Sequence, residues 1–204
     1  CILINNEEAA HKIVAQLQNS SYKVQSVERK EKKRNPVPPF ITSTLQQEAS
    51  RHFGFSASRT MNIAQGLYEG IDLGNTGSEG LITYMRTDSV RIASEAIDLA
   101  RKYITKVYGK EFLPNQGKQY SSKKNAQDAH EAIRPTSLQY SPEEIKSYLT
   151  TDQHKLYLLI WRRFLASRMN PAIYDTDSCD ILTNQHMLLR ATGSTPKFSG
   201  FLVV

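Results

Sequence analysis

Apolar residues recur at helical spacing over residues 6–18, where Ala9, Ala10, Ile13, Val14 and Leu17 share one face. Asn5 followed by Glu8 resembles a capping box at its start. Tyr22–Val27 alternates weakly between apolar and polar and predicts a strand. The run Asn35-Pro36-Val37-Pro38-Pro39 cannot lie inside a helix and reads as a connector, with a domain crossing near residue 40. Ser43 with Gln46 offers a capping box for a helix ending near Phe53. Gly54-Phe55-Ser56 then makes a tight turn. A second helix over 57–69 presents Met61, Ala64, Leu67 and Tyr68 on one side.

The order helix, glycine turn, helix, loop, strand fits a helix-turn-helix or winged-helix unit as well as a plain helical hairpin. The stretch Gly80–Ser89 opens apolar and ends small and polar, which predicts a short buried strand emptying into a loop. The turn into it, Gly70–Gly80, carries Asn75-Thr76-Gly77. A helix starting at Ser94-Glu95 places Ile97, Ala100, Ile104 and Val107 inward and stops at Gly109. Residues 110–126 read as a polar loop, with Lys118, Lys123 and Lys124 near nucleic acid or in water. Gln127–Arg134 is expected to be helical up to Pro135. Ser141-Pro142-Glu143-Glu144 is a helix start, and a longer helix runs over 152–169, closed by Pro171. Residues 173–204 alternate weakly and predict antiparallel strands, Phe201–Val204 included.

Composition narrows the class. The 204 residues are 23% charged and 9% aromatic, an ordinary globular balance with length for one or two cores. No apolar run approaches membrane-spanning length, so no membrane is expected. Cys1 and Cys179 make no disulfide framework and fit a reducing cytoplasm. The chain opens on Cys1 rather than Met and is expected to be a piece of a longer protein. The net charge of +6 permits nucleic-acid binding without requiring it. Its densest run, Glu28–Arg34, reads as a solvated strand end or as a patch that steers phosphates. No Cys/His set has zinc spacing and no glycine loop carries the lysine of a nucleotide site.

Chemistry concentrates in two places. If Thr83–Arg86 is extended, Tyr84 and Arg86 project from the same face. A guanidinium can grip two phosphate oxygens and favours a neighbouring phenolate, while a core tyrosine with an arginine stacked over it would leave the same pair. On the expected helix, His130 and Arg134 stand one turn apart, and histidine is the side chain suited to moving or sharing a proton near neutrality.

Together these stretches carry a resemblance. Ile82-Thr83-Tyr84-Met85-Arg86-Thr87-Asp88-Ser89 resembles the active-site tyrosine motif of bacterial type IA DNA topoisomerase I. Ala129-His130-Glu131-Ala132-Ile133-Arg134-Pro135-Thr136 resembles a second motif of that family, and Pro39-Phe40-Ile41-Thr42-Ser43-Thr44-Leu45-Gln46-Gln47-Glu48-Ala49 a third. They stand in the family's order and at about its spacing. Met85 after the tyrosine is closer to topoisomerase I than to topoisomerase III or reverse gyrase.

The resemblance implies an α+β fold: a mainly helical, winged-helix-like tyrosine domain over 41–170, inserted into a small β-rich hinge domain made of 1–40 and 171–204. It implies Tyr84, Arg86 and His130 as catalytic residues. Arg86, Thr87, Asp88, Ser89, Glu131 and Arg134 would meet DNA, although a loop-capping role for Asp88 is equally open. The implied reaction is ATP-independent relaxation of negative supercoils by cutting and resealing single-stranded DNA, in a cytoplasmic monomer. The family's Mg2+ site belongs to an acidic domain with no counterpart here, so no metal ligand is expected in these residues. Two rivals stay open: a DNA-binding gate or hinge module without activity of its own, and a helical interaction domain unrelated to DNA.

Overall fold

The computed structural model describes residues 4–74, 77–115, 117, 120 and 130–204. The architecture is α+β, five helices with small antiparallel sheets. The chain divides into two compact units, one of Cys1–Arg34 with Ile173–Phe198 and one of Asn35–Ala172 with Ser199–Val204. The crossings fall at Arg34/Asn35 and Ala172/Ile173, and the last six residues return to the second unit.

In the first unit, helix α1 (Glu7–Gln18) begins at Asn6, whose Oδ1 accepts from the Ala9 N–H at 2.8 Å. The cap is one residue later than Asn5, because only from Asn6 does the side chain reach the third amide of the helix. Strand β1 runs from Tyr22 to Arg34, well past the expected Val27, and is exposed throughout. The charged run is therefore the outer half of a solvated strand. Part of its charge is matched locally: Arg29 pairs with Asp177 at 3.0 Å and Glu31 with Lys197 at 3.0 Å. Strands β4 (Ala172–Thr183) and β5 (Leu188–Phe198) complete a three-stranded sheet in the order β1-β4-β5. Asp180 and Arg190 face each other across β4 and β5, and the guanidinium holds the carboxylate with two bonds of 2.6 and 2.8 Å. That pairing sets the Asp180 carboxyl below its usual range.

The second unit holds the core. Helix α2 (Thr42–Phe53) ends at Gly54 in the left-handed conformation, φ 67°, which suits a residue without a β-carbon. Helix α3 (Ala57–Glu69) follows, capped by the Ser56 hydroxyl on Arg59 N–H at 3.2 Å. A minimal antiparallel pair, β2 (Ile71–Asp72) and β3 (Ser78–Glu79), leads to Gly80; Asn75 and Thr76 lie outside the described residues. A β-carbon at Gly80 would stand 2.7 Å from the Tyr68 carbonyl oxygen, so glycine lets the chain pass close to α3. There the Leu81 N–H meets Leu67 O at 2.7 Å. Helix α4 (Ser94–Val107) buries Ala96, Ala100 and Ile104, whereas Val107, expected inward, is exposed. Helix α5 (Thr151–Ser167) begins with a capping box between Thr150 and Gln153 and buries Leu156, Tyr157, Ile160, Trp161, Phe164 and Leu165. With Phe40, Leu45, Leu67, Leu81, Ile82, Met85 and Ile133 these form one apolar core.

Four sequence expectations give way to backbone accounting. Gly80–Ser89 is extended, but it makes a single bridge, at Ile82, before bending at Met85 and Arg86. Within the described part of 127–136 there is no helix: the chain bends at His130 and Thr136 and makes isolated bridges at Ile133 and Pro135. Proline pushes Arg134 away from helical angles, and the amides of this stretch bond to Phe40, Leu81 and Arg91 instead. Ser141 does exchange capping bonds with Glu144, yet only a turn and a three-residue 3-10 segment, Lys146–Tyr148, follow. Phe201 lies in a 3-10 turn, Gly200–Val203, whose amide at Phe201 bonds Asn170 O, rather than in a strand. Lys118, Lys123, Lys124 and Cys1 lie outside the described residues.

Candidate active site

Three segments far apart in sequence meet here through their backbones. Ile133 N–H donates to Phe40 O at 2.8 Å, Thr83 N–H to Arg134 O at 2.9 Å and Thr42 N–H to Thr87 O at 3.0 Å. Side chains lock the same joints. The Thr83 hydroxyl donates to Ala132 O at 2.7 Å and accepts from Arg134 N–H at 3.0 Å. The Thr42 hydroxyl lies 2.7 Å from Met85 O and 3.0 Å from Thr87 O, and accepts from Thr87 N–H at 2.9 Å. This commitment explains why α2 starts at Thr42 rather than at a cap on Ser43. Ile41 offers no side-chain oxygen, and Thr44 Oγ1 accepts the Ile41 N–H at 3.1 Å in its place.

Between these clamps the tyrosine segment keeps the alternation of an extended chain. Met85 and Thr87 turn inward, and Arg86 and Asp88 are exposed. Met85, 0% exposed, anchors the loop in the core. Tyr84 is half-buried; its ring meets Tyr68 edge-on at 5.6 Å and lies 5.1 Å from the His130 ring.

His130 also lines a cavity of about 590 Å³, together with Arg86, Thr87, Asp88 and the first turn of α2 at Thr42, Ser43 and Gln46. Tyr84 is not among the lining residues and adjoins the cavity through His130. Arg86 makes no ion pair among the described residues, so its guanidinium is available to an anion. The N-terminus of α2, which also lines the cavity, adds a partial positive charge of the same sense.

The remaining expected residues are placed differently. Ser89 is buried, and its hydroxyl accepts from Arg91 N–H at 3.2 Å. Glu131 reaches Arg134 at 2.7 Å and accepts the Ala93 N–H at 3.1 Å, at the start of α4. Arg134 also donates to Pro135 O at 2.9 Å. These two side chains brace the corner that carries His130 and do not line the cavity. Sequence reasoning passed over Thr42, Thr83 and Tyr68. Both threonines lie inside the motifs that carry the resemblance, but no sequence signal says that their hydroxyls fasten two chains.

A divalent metal, as the resemblance implies for the whole enzyme, finds no ligand set here. Among the described residues no three His, Cys, Asp or Glu side chains gather. Asp88 is the one carboxylate among the described residues lining the cavity, and Glu131 is already engaged.

A protein family described as DNA topoisomerase matches residues 3–204. DNA topoisomerase 1 of Xylella fastidiosa is 50% identical over 197 residues, 96% of this chain and 24% of that protein. DNA topoisomerase 1 of Rickettsia bellii is 49% identical over 203 residues, 98% of this chain and 25% of that one. The solved full-length topoisomerase I from Thermotoga maritima superposes with a TM-score of 0.82 at 41% identity, covering 95% of this chain and 31% of its own. The chain thus spans about a quarter of the length of those curated relatives. With a match over nearly its whole length and the tyrosine, histidine and phenylalanine motifs in one corner, the chain belongs to the bacterial DNA topoisomerase I family.

Proposed function

We propose that this chain is the tyrosine-bearing part of a type IA DNA topoisomerase that relaxes negative supercoils without ATP. The observation that carries the reading is Tyr84 against His130, with His130 and Arg86 on one cavity. The Tyr84 oxygen attacks a phosphodiester of single-stranded DNA. A bond forms between that oxygen and the 5′ phosphate as the bond to the 3′ oxygen breaks, and the 3′-hydroxyl leaves. A second strand passes, the hydroxyl attacks back, and the linking number changes by one. The phosphotyrosine ester conserves the bond energy, so no nucleotide is consumed.

In this reading Arg86 holds two oxygens of the scissile phosphate and offsets the charge that builds on the five-coordinate phosphorus. His130 hydrogen-bonds the phosphate beside Tyr84. Glu131 and Arg134 keep that corner in place, and Thr87 and Asp88 border the strand. The helix pair α2 and α3 with the β2–β3 hairpin has winged-helix character; the unit of Cys1–Arg34 with Ile173–Phe198, narrower than the expected 1–40 and 171–204, serves as the hinge. The protein works as a cytoplasmic monomer, and Mg2+ is held by another domain of the complete enzyme, outside these residues.

A second reading has a specific observation behind it. The cavity offers one carboxylate among its described lining residues, so by itself this chain would bind single strands as a gate module without cutting them. The test is adduct formation with an end-labelled oligonucleotide in the complete enzyme. Tyr84→Phe keeps the ring and its packing and removes the only oxygen aimed at phosphorus. The expected result is no adduct with nearly unchanged binding. Adduct in Tyr84→Phe eliminates Tyr84 as nucleophile.

A further inference from the structure

A second cavity, of about 630 Å³, lies between the later turns of α4 and the segment after it, apart from the residues described above. Four cations line it, Arg101, Lys102, Lys106 and Lys110, with Leu113 and Pro114 on the wall and no carboxylate among the described lining residues. None of the four makes an ion pair among the described residues. Elsewhere in the chain many basic side chains are matched: Lys12, Arg29, Arg59, Arg134, Arg163, Arg190 and Lys197 all sit at acids. Lys102 and Lys106 stand one helical turn apart, a like-charge spacing that costs a helix stability. The C-terminal end of α4 offsets this for Lys106, in the last turn, but not for Arg101 and Lys102. Arg101 is already oriented, because its Nη1 donates to Pro114 O at 3.2 Å, and among the described residues its other N–H groups make no hydrogen bond.

Such a site takes an anion with several phosphates. Its described lining contains no aromatic side chain on which a base could stack. We propose that this cavity is a second nucleic-acid site that grips the sugar–phosphate backbone of a single strand independently of its bases. The proposal rests on DNA being the substrate but not on the chemistry at Tyr84. A concavity of this size receives one strand, and four cations on its rim neutralise successive phosphates.

The experiment is the salt dependence of binding to a single-stranded oligonucleotide by the complete protein. Removing one cation that neutralises a phosphate lowers the slope of log K against log salt by roughly 0.7 for single strands. Lys102→Gln with Lys106→Gln is therefore expected to lower the slope by about 1.4. Lys146→Gln with Lys155→Gln removes the same charge elsewhere in the unit and is expected to leave the slope unchanged. The Lys102→Arg with Lys106→Arg pair should retain the wild-type slope, which separates charge from folding. An oligonucleotide with abasic sites should show the same fall in slope as an ordinary one.

Equal effects from the two glutamine pairs, or none from the first, overturn the site. Tripolyphosphate binding at the cavity with no effect of the lysines on strand binding overturns the strand as its ligand. Adduct formation at Tyr84 is scored separately: wild-type protein that binds with the expected slope and forms no adduct defeats the catalytic reading and leaves this one standing.

Discussion

Replacing Thr42 by valine tests whether the tyrosine loop is held by the helix it faces. Valine keeps the β-branched shape, so packing and helix propensity change little. It removes a hydroxyl that touches Met85 O, Thr87 O and Thr87 N–H at 2.7, 3.0 and 2.9 Å. Thr87 is 7% exposed, so water cannot easily replace the missing acceptor of its amide. Thr87 O still receives the Thr42 N–H at 3.0 Å, so the net loss is the acceptor of the Thr87 amide together with the hydroxyl donor to Met85 O. An orphaned buried amide costs about 1–3 kcal/mol. For a chain of this length about 2 kcal/mol corresponds to a fall in Tm of roughly 4–8 °C. A loop no longer pinned at Thr87, three residues from Tyr84, also samples misaligned positions. If about 1.4 kcal/mol of the loss falls on alignment, adduct formation slows roughly tenfold. The assay is single-turnover adduct formation at saturating oligonucleotide, beside a thermal melt. Thr42→Ser keeps the hydroxyl and should restore both. Wild-type melting and wild-type adduct rate in Thr42→Val would refute the clamp. A lower Tm with an unchanged rate would make Thr42 a folding residue and nothing more.

Arg86→Lys keeps one charge and loses the two-pronged grip, which costs about 2–4 kcal/mol in the transition state, roughly 30- to 1000-fold in adduct rate; equal loss of binding and cleavage would instead make Arg86 a ground-state anchor. The 204 residues alone are expected not to relax negatively supercoiled plasmid with Mg2+, because the described residues gather no metal-ligand set; robust relaxation by purified chain counters this. Tyr157 is 0% exposed, donates to Tyr140 O at 2.8 Å, and burial pushes its phenol far above the ordinary tyrosine range. Its unfolded form releases a proton near pH 10 while the folded form keeps it, so stability is full below that pH and falls as pH rises, by about 1.4 kcal/mol per unit. Chemical denaturation of Tyr157→Phe from pH 9 to 11 should show a smaller decline than wild type, and an equal decline would refute this assignment.

The helices were legible by their apolar period. It marks 57–69 and 152–169, and the structure adds the caps at Ser56 and Thr150 and starts the second helix at Thr151. Legibility ended where a local signal met a tertiary demand. Ser141-Pro142-Glu143-Glu144 carries a complete start and yields one turn, because a cap lowers the cost of a helix without supplying an apolar face to bury. A helix over Gln127–Arg134 was the condition for setting His130 and Arg134 one turn apart, but its described residues bond to other segments, which no local rule contains. The residues of the candidate site were named by chemical type, and their hydrogen-bond partners were not. Nothing in the order of residues 42, 83 and 131 announces that two hydroxyls and a carboxylate would be consumed in fastening backbones.

That fastening bears on why the motifs are long. In Ala129–Thr136, His130 lines the cavity, Glu131 accepts from the backbone where α4 begins, Ile133 enters the core and bridges Phe40, and Pro135 bridges Ile82. The bridges at Ile133 and Pro135 fix how this segment presents its side chains, and a helix would not let Ile133 pair with Phe40. A change at Pro135 therefore acts on the site through the register of the whole segment. The bridge at Ile82 sits two residues before Tyr84, and the amide of Thr83 is bonded to Arg134 O. Tyr84 and the histidine beside it are held in register by the same short ladder, so a shift of one strand by a residue would turn both side chains to the wrong face.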